Sequence, residues 1–202
     1  LYLALHNAGA TGRATEGPLP AESLYTTVGR GALGVMEDHL GEDDGAHALL
    51  IRGEALRAVG RRTHAREVMV RAGAALATTP DAELDLRWTG LACSAAIELR
   101  DLSLLRALSD RQLRITRARG ELVFLPYALA FSGIAHVLDG RLEDAEALAD
   151  EDDVLRAALR HRAPPYARIF AAAWRGDRDV VAGCARELRE GALARGDGSG
   201  LS

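Results

Sequence analysis

The sequence predicts an all-α fold, a right-handed superhelix of antiparallel helical hairpins repeating about every 40 residues. Three observations predict it. Hydrophobic residues make up 48% of the chain but aromatic ones only 4%, a balance that suits close-packed Ala/Leu helices better than a sheet. The stretch LVFLPYALAFSGIAHVL, the turn Asp139-Gly140-Arg141 and the segment LEDAEAL read as helix, turn and helix. Leu142, Ala145 and Leu148 keep one apolar stripe on a single face of the second member. Finally, the chain repeats this hairpin.

The register of the repeat follows from its turns. Gly133, Gly140-Arg141 and Ala145 answer Gly53, Gly60-Arg61 and Ala65. A middle copy aligns Ile51, Leu91 and Phe131 as large apolar residues, Gly53, Cys93 and Gly133 as small ones, and Ala55, Ala95 and Ala135 as identical ones. Val68, Leu108 and Leu148 align on the second helices, and Ala171, Trp174 and Gly176 answer Ala135, Leu138 and Gly140 in a further copy. Small residues let paired helices approach, and large ones fill the space toward the next hairpin. One hairpin cannot bury its apolar face alone, so such a tetratricopeptide-like α-solenoid is stabilised by stacking.

Two segments are expected: residues 1–43, an N-terminal helix with a Gly/Pro loop, and residues 44–202, the helical array. Residues 9–20 read as a loop and Ala21–His39 as a helix broken at its glycines. Gly41 to Gly45 is a turn whose acids suit the start of a helix over 46–59. A helix over 62–78 follows. Asp81 is expected to cap a helix to about Leu99, and Asp101 or Ser103 the next, with the seam Leu105, Leu108, Gln112 and Ile115 and a stop at Gly120. The next helix is expected from Leu122 to Leu138, and its partner is expected to break at Asp150–Asp153 before resuming over 154–160. Pro164-Pro165 opens a helix to Trp174, and Asp177 caps a last one with the seam Val181, Cys184, Leu188 and Ala192. The chain starts inside an apolar segment and stops where another helix is due, which predicts an excerpt of a longer protein.

Composition narrows function. The net charge is −4, from 25 basic and 29 acidic residues, and lysine is absent. No lysine-dependent phosphate loop or Schiff base is available, and the mixed charge gives no nucleic-acid footprint. Cys93 and Cys184 are expected to be reduced, buried thiols of a cytoplasmic protein. Residues 1–8 are too short and lack the basic leader of a signal peptide, and the 122–138 run is shorter than a membrane span.

No motif carries catalysis. The acids Asp150-Glu151-Asp152-Asp153 are consecutive rather than one helical turn apart, so their carboxylates do not converge on a metal, and they are expected to be solvated. An all-α enzyme using them is the third and weakest reading. The six histidines lack metal-ligand spacing, and His136 is expected to be a hydrogen-bonded core residue. Arg-Gly-Asp occurs at 175–177 and 195–197 as a helix stop followed by a cap. The aromatics of the first helices are the candidate surface. Trp88, Tyr127, Phe131, Tyr166 and Trp174 are the candidates for a concave groove that takes a protein partner or small effector, and prolines near Tyr127 and Tyr166 set those two close to helix starts.

Residues 44–202 carry ELDLRWTGLACSAAIELRD, RQLRITRARGELVFLPYALAFSGIAHVLDGRLEDAEAL and APPYARIFAAAWRGDRDVVAGCARELREGALARGDGSGLS. In their order these strings resemble the helical-repeat region of the large ATP-binding LuxR-type transcription regulators, the MalT-like proteins common in actinobacteria. The usual tetratricopeptide aromatic signature is poorly kept. The resemblance implies a sensor or scaffold array between an upstream ATPase, which would hold ATP and Mg²⁺, and a C-terminal helix-turn-helix, through which alone DNA would be bound. It further implies coupling of effector binding to self-association. The chain itself is then no enzyme and needs no cofactor. The alternative is a free-standing adaptor for protein–protein interaction.

Overall fold

The computed structural model describes residues 30–31, 33–34, 45–159 and 165–195, the last five by their backbone only. All of the named elements are helices: α1 (Ala46–Ala58), α2 (Arg62–Thr78), α3 (Leu86–Leu99), α4 (Leu102–Arg119), α5 (Leu125–Leu138), α6 (Leu142–Leu159), α7 (Tyr166–Arg175) and α8 (Arg178–Arg195). Among the described residues there is no strand. The chain divides into two compact units, Leu1–Ala75 with Leu188–Ser202, and Leu76–Glu187. The expected loop at 9–20, most of the 21–39 helix, the turn at 41–44, Pro164 and the segment after 195 lie outside the described residues.

In the first unit Leu50, Ala55 and Leu56 of α1 are buried together with Ala65, Val68, Met69 and Ala72 of α2. Gly53 marks the closest approach: a methyl group there would lie 2.6 Å from Met69 Cγ. A methyl group there would force the Met69 side chain to shift, while the Ala65 carbonyl lies at ordinary contact distance, 3.7 Å.

The second unit is a chain of helices in which each packs on the next, α3 on α4 through to α6 on α7, while α3 also touches α5 and α5 touches α7. Short turns make consecutive helices antiparallel, so α3, α5 and α7 run in one direction. Leu113 of α4 meets Leu125, Ala128 and Leu129 of α5, with Leu148 and Leu155 of α6 packed against them. Val137, Ala145 and Ala171 join α5, α6 and α7. At Gly133 an added methyl would lie 3.0 Å from Ala167 Cβ, so α5 and α7 approach almost backbone to backbone.

One turn geometry closes every hairpin. Arg61 N–H donates to Leu56 O, Asp101 to Ala96 O, Arg141 to His136 O and Asp177 to Ala172 O, all at 2.9 Å. This is the Schellman bond, and it requires a left-handed residue just before the donor. Gly60, Gly140 and Gly176 supply it, but in the middle hairpin Arg100 does, at φ 56°.

Three helix boundaries differ from expectation. Asp85, not Asp81, caps α3, its carboxylate accepting from Arg87 N–H at 2.9 Å. α5 starts at Leu125 rather than Leu122, because Pro126 has no N–H to give and belongs in the first turn. The preceding Leu122 and Val123 are exposed in a turn. α6 runs without a break through Asp150–Asp153. Asp101 caps α4 and Asp177 caps α8 as expected, and the seam Leu105, Leu108, Gln112 and Ile115 is buried. Val181, Cys184 and Leu188 are half-buried. No helix among the described residues is long and apolar enough to cross a membrane.

Candidate functional site

The shared direction of α3, α5 and α7 sets Trp88, Tyr127 and Tyr166 at one end of three neighbouring helices. Trp88 is half-buried, whereas Tyr127 and Tyr166 are 41% and 43% exposed. Phe131, one turn along α5, is half-buried, its Cε2 3.6 Å from where a methyl on Gly90 of α3 would stand. Gly90 thus gives the ring a flat seat between the first helices. Trp174 is 59% exposed but lies at the far end of α7. Three of the five aromatics therefore fall at the N-terminal ends of the first helices, Phe131 sits at mid-helix, and Trp174 stands apart.

The second helix α4 carries a run of arginines. Arg111 of α4 reaches the end of α2: its Nε donates to Asp81 Oδ1 (2.6 Å), Nη1 to Leu76 O (2.8 Å) and Ala77 O (3.2 Å), and Nη2 to Thr79 O. Cations are favoured there, where the last carbonyls of a helix lack intrahelical donors. Arg114 Nη1 donates to Asp81 Oδ2 at 2.7 Å, and Arg119 donates to Leu84 O (3.1 Å) and Asp81 O. The guanidinium of Arg114, then that of Arg111, holds the Asp81 carboxyl below the usual aspartate range. This clasp occupies the residue expected to cap α3.

Beside the clasp, Ala77 and the α4 residues Ala107, Leu108, Asp110, Arg111 and Arg114 border an open cleft of about 470 Å³. Asp110 is the one carboxylate of this lining, and both of its guanidiniums are already paired with Asp81.

Asp150, Glu151 and Asp153 of α6 are exposed, as expected of solvated charge, though each also meets an arginine; Asp152 alone departs from the expectation. Arg168 of α7 bridges Asp150 (2.5 Å) and Asp153 (2.7 Å), Arg117 of α4 pairs with Glu151, and Arg175 of α7 pairs with Glu146 (2.7 Å). Asp152 is 1% exposed and its Oδ1 has no hydrogen-bond partner. Burial raises its carboxyl to about 6, with Arg156 opposing and Asp153 adding to the shift. Asp152 lies on the stripe of Ala145 and Ala149, and that spacing is legible in the sequence once α6 is drawn as one helix.

His136 is half-buried, with the Arg141 guanidinium against its ring; desolvation, then that cation, lowers its pKa. Cys93 is fully buried, which pushes its thiol far up, and its Sγ lies 3.8 Å from Gln112 Oε1. Gln112 in turn donates to Leu86 O at 3.2 Å, tying α4 to the first turn of α3. Cys184 is half-buried rather than buried. Among the described residues no three of His, Cys, Asp and Glu gather as a metal-ligand set. The chain matches no family model, no curated protein and no solved structure.

Proposed function

We propose that this chain is a ligand- or protein-binding array, the sensor or scaffold segment of a LuxR-type, ATP-dependent transcription regulator of the cytoplasm. In this reading the hairpins form a right-handed superhelix with a period of about 40 residues. The starts of α2, α4 and α6 at Arg62, Leu102 and Leu142 support it. The observation that carries the binding reading is the pair of exposed aromatics on neighbouring first helices. Ion pairs from α4, α6 and α7 join successive hairpins, while α5 and α7 present Tyr127 and Tyr166 at 41% and 43% exposure. Exposed aromatics on rigid helices offer a large contact area at small entropic cost.

Binding a partner peptide or small effector across α3, α5 and α7 would bias the packing between hairpins, and that shift would be passed to an ATPase elsewhere in the protein. Calorimetric titration of the chain with sugars such as maltose and with peptides tests the reading. Tyr127→Ala with Tyr166→Ala is expected to weaken any binding at least tenfold, and Trp174→Ala, at the far end of α7, much less. Binding to none of the probes, or binding unchanged by the tyrosine pair, would sink it.

A further inference from the structure

We propose that the α6–α7 step is proton-operated: uptake of one proton by the buried carboxyl of Asp152 tightens the packing of α7 on α6, and its release loosens it. The geometry that carries this is an acid in a place built for alanine. Asp152 continues the Ala145–Ala149 stripe of α6, and Ala145 sits in a cluster with Ala171 of α7 and Val137 of α5. The residue is 1% exposed, and Oδ1 accepts no hydrogen bond. An ionised carboxylate held this way has lost water without a full replacement.

The described groups around it do not supply that replacement. On α6 itself Asp153 repels the charge and Arg156 attracts it. Arg156 lies against Glu187 of α8 at 3.0 Å. On α7 the attracting cation is Arg168, already shared by Asp150 and Asp153. From α5, the residues meeting Leu148 and Leu155 are Leu125, Ala128 and Leu129, which carry no charge. Arg117 of α4 is engaged by Glu151, and Cys184 of α8 lies near the same charged groups. Protonation removes the uncompensated charge and leaves the carboxyl able to donate.

The direction of the pH effect follows. The folded-state value is raised to about 6 from 3.8, so between these values the folded chain holds a proton that the unfolded chain has released. The contribution of Asp152 to stability is full below about pH 4 and is lost as pH rises through about 6. His136 works oppositely, since its lowered pKa favours the neutral ring and costs stability on acidification. Comparison with an Asp152 variant separates the two.

Carbon-detected NMR titration of the aspartate carboxyls in the full chain is the direct test. A midpoint for Asp152 near 6 is expected, and one at or below the ordinary value of about 3.9 overturns the proposal. Thermal unfolding at pH 7.5 and 5.0 is the second test. On acidification the midpoint should rise by on the order of 4 °C relative to Asp152→Asn. An identical pH response in both chains overturns it. If Asp152→Asn does not fold, amide exchange in the unaltered chain decides. After correction for intrinsic rates, residues 148–156 and 166–172 should be better protected at pH 5.0, and unchanged protection refutes the device.

Discussion

Arg100 shows how a single residue carries a repeat's turn without the usual chemistry. Its φ of 56° is left-handed, and it occupies the place that Gly60 and Gly140 hold in the flanking hairpins. A Cβ in that region costs about 1 kcal/mol, so Arg100→Gly is expected to raise stability by about that amount in urea unfolding. No gain would mean that the Arg100 side chain makes compensating contacts. Gly133 is the opposite case. Alanine there would gain up to about 1 kcal/mol in helix propensity. Its methyl, however, would meet Ala167 Cβ at 3.0 Å, and a buried methyl has no torsion by which to move aside. Gly133→Ala is therefore expected to destabilise by about 1 kcal/mol net. Combined with Ala167→Gly it should recover most of the loss beyond the cost of the new glycine, a coupling that a double-mutant cycle measures. The sequence marks both positions as small, but only the packing tells which neighbour imposes the smallness.

At the scale of an element, the ends of helices depend on partners of two kinds. Asp85 is local: its carboxylate caps α3 through Arg87 N–H and also pairs with the Arg87 guanidinium at 2.6 Å. Asp85→Ala should cost about 1 kcal/mol, nearly all from the cap, since the exposed ion pair adds little. Arg111 is distant in sequence from the end it serves. It closes the carbonyls of Leu76, Ala77 and Thr79, and its side chain is mostly covered. Arg111→Ala is expected to fray the last turn of α2 and cost about 1–2 kcal/mol, seen as faster amide exchange at residues 76–79. Exchange unchanged there would show that water caps those carbonyls equally well. Expecting Asp81 to cap α3 went astray for this reason: Arg111 and Arg114 draw its carboxylate toward α4, and the helix starts four residues later.

Across the molecule, charge joins what the apolar seams align. In the second unit α4 is basic and α6 acidic, and arginines from α4 and α7 close on α6 from both sides. Exposed pairs of this kind are individually weak and screened by salt. Their acid limb is predictable for Asp81, whose pKa is lowered by Arg114 and Arg111. Stability from that clasp is present above the unfolded value of 3.8 and is lost as pH falls through the lower folded value. In acid unfolding below pH 4, Asp81→Asn should flatten the transition, and an unaltered acid limb would remove the clasp from the account. The aromatics at the N-terminal ends of α3, α5 and α7 are likewise a product of assembly. Sequence places them on first helices, while their common end comes from the antiparallel path of the chain.

What the sequence determined by itself is the set of helices, their buried seams and their turns. The period of apolar residues and the left-handed glycines act over one or two helical turns, so they can be read locally, as Leu105, Leu108, Gln112 and Ile115 or Gly140-Arg141 show. What only the tertiary structure decided is where the charges go. The arginines of α4 and α7 find partners such as Asp81, Glu151 and Asp150 many residues away, and the fate of each acid of α6 depends on which side of a continuous helix it faces. Asp152 differs from Asp150 and Asp153 in lying on the Ala145–Ala149 stripe, a register that counts only because α6 runs unbroken. It is buried because a helix stabilised along its whole length by packing points it inward, and that burial, more than the neighbouring charges of Arg156 and Asp153, sets its protonation.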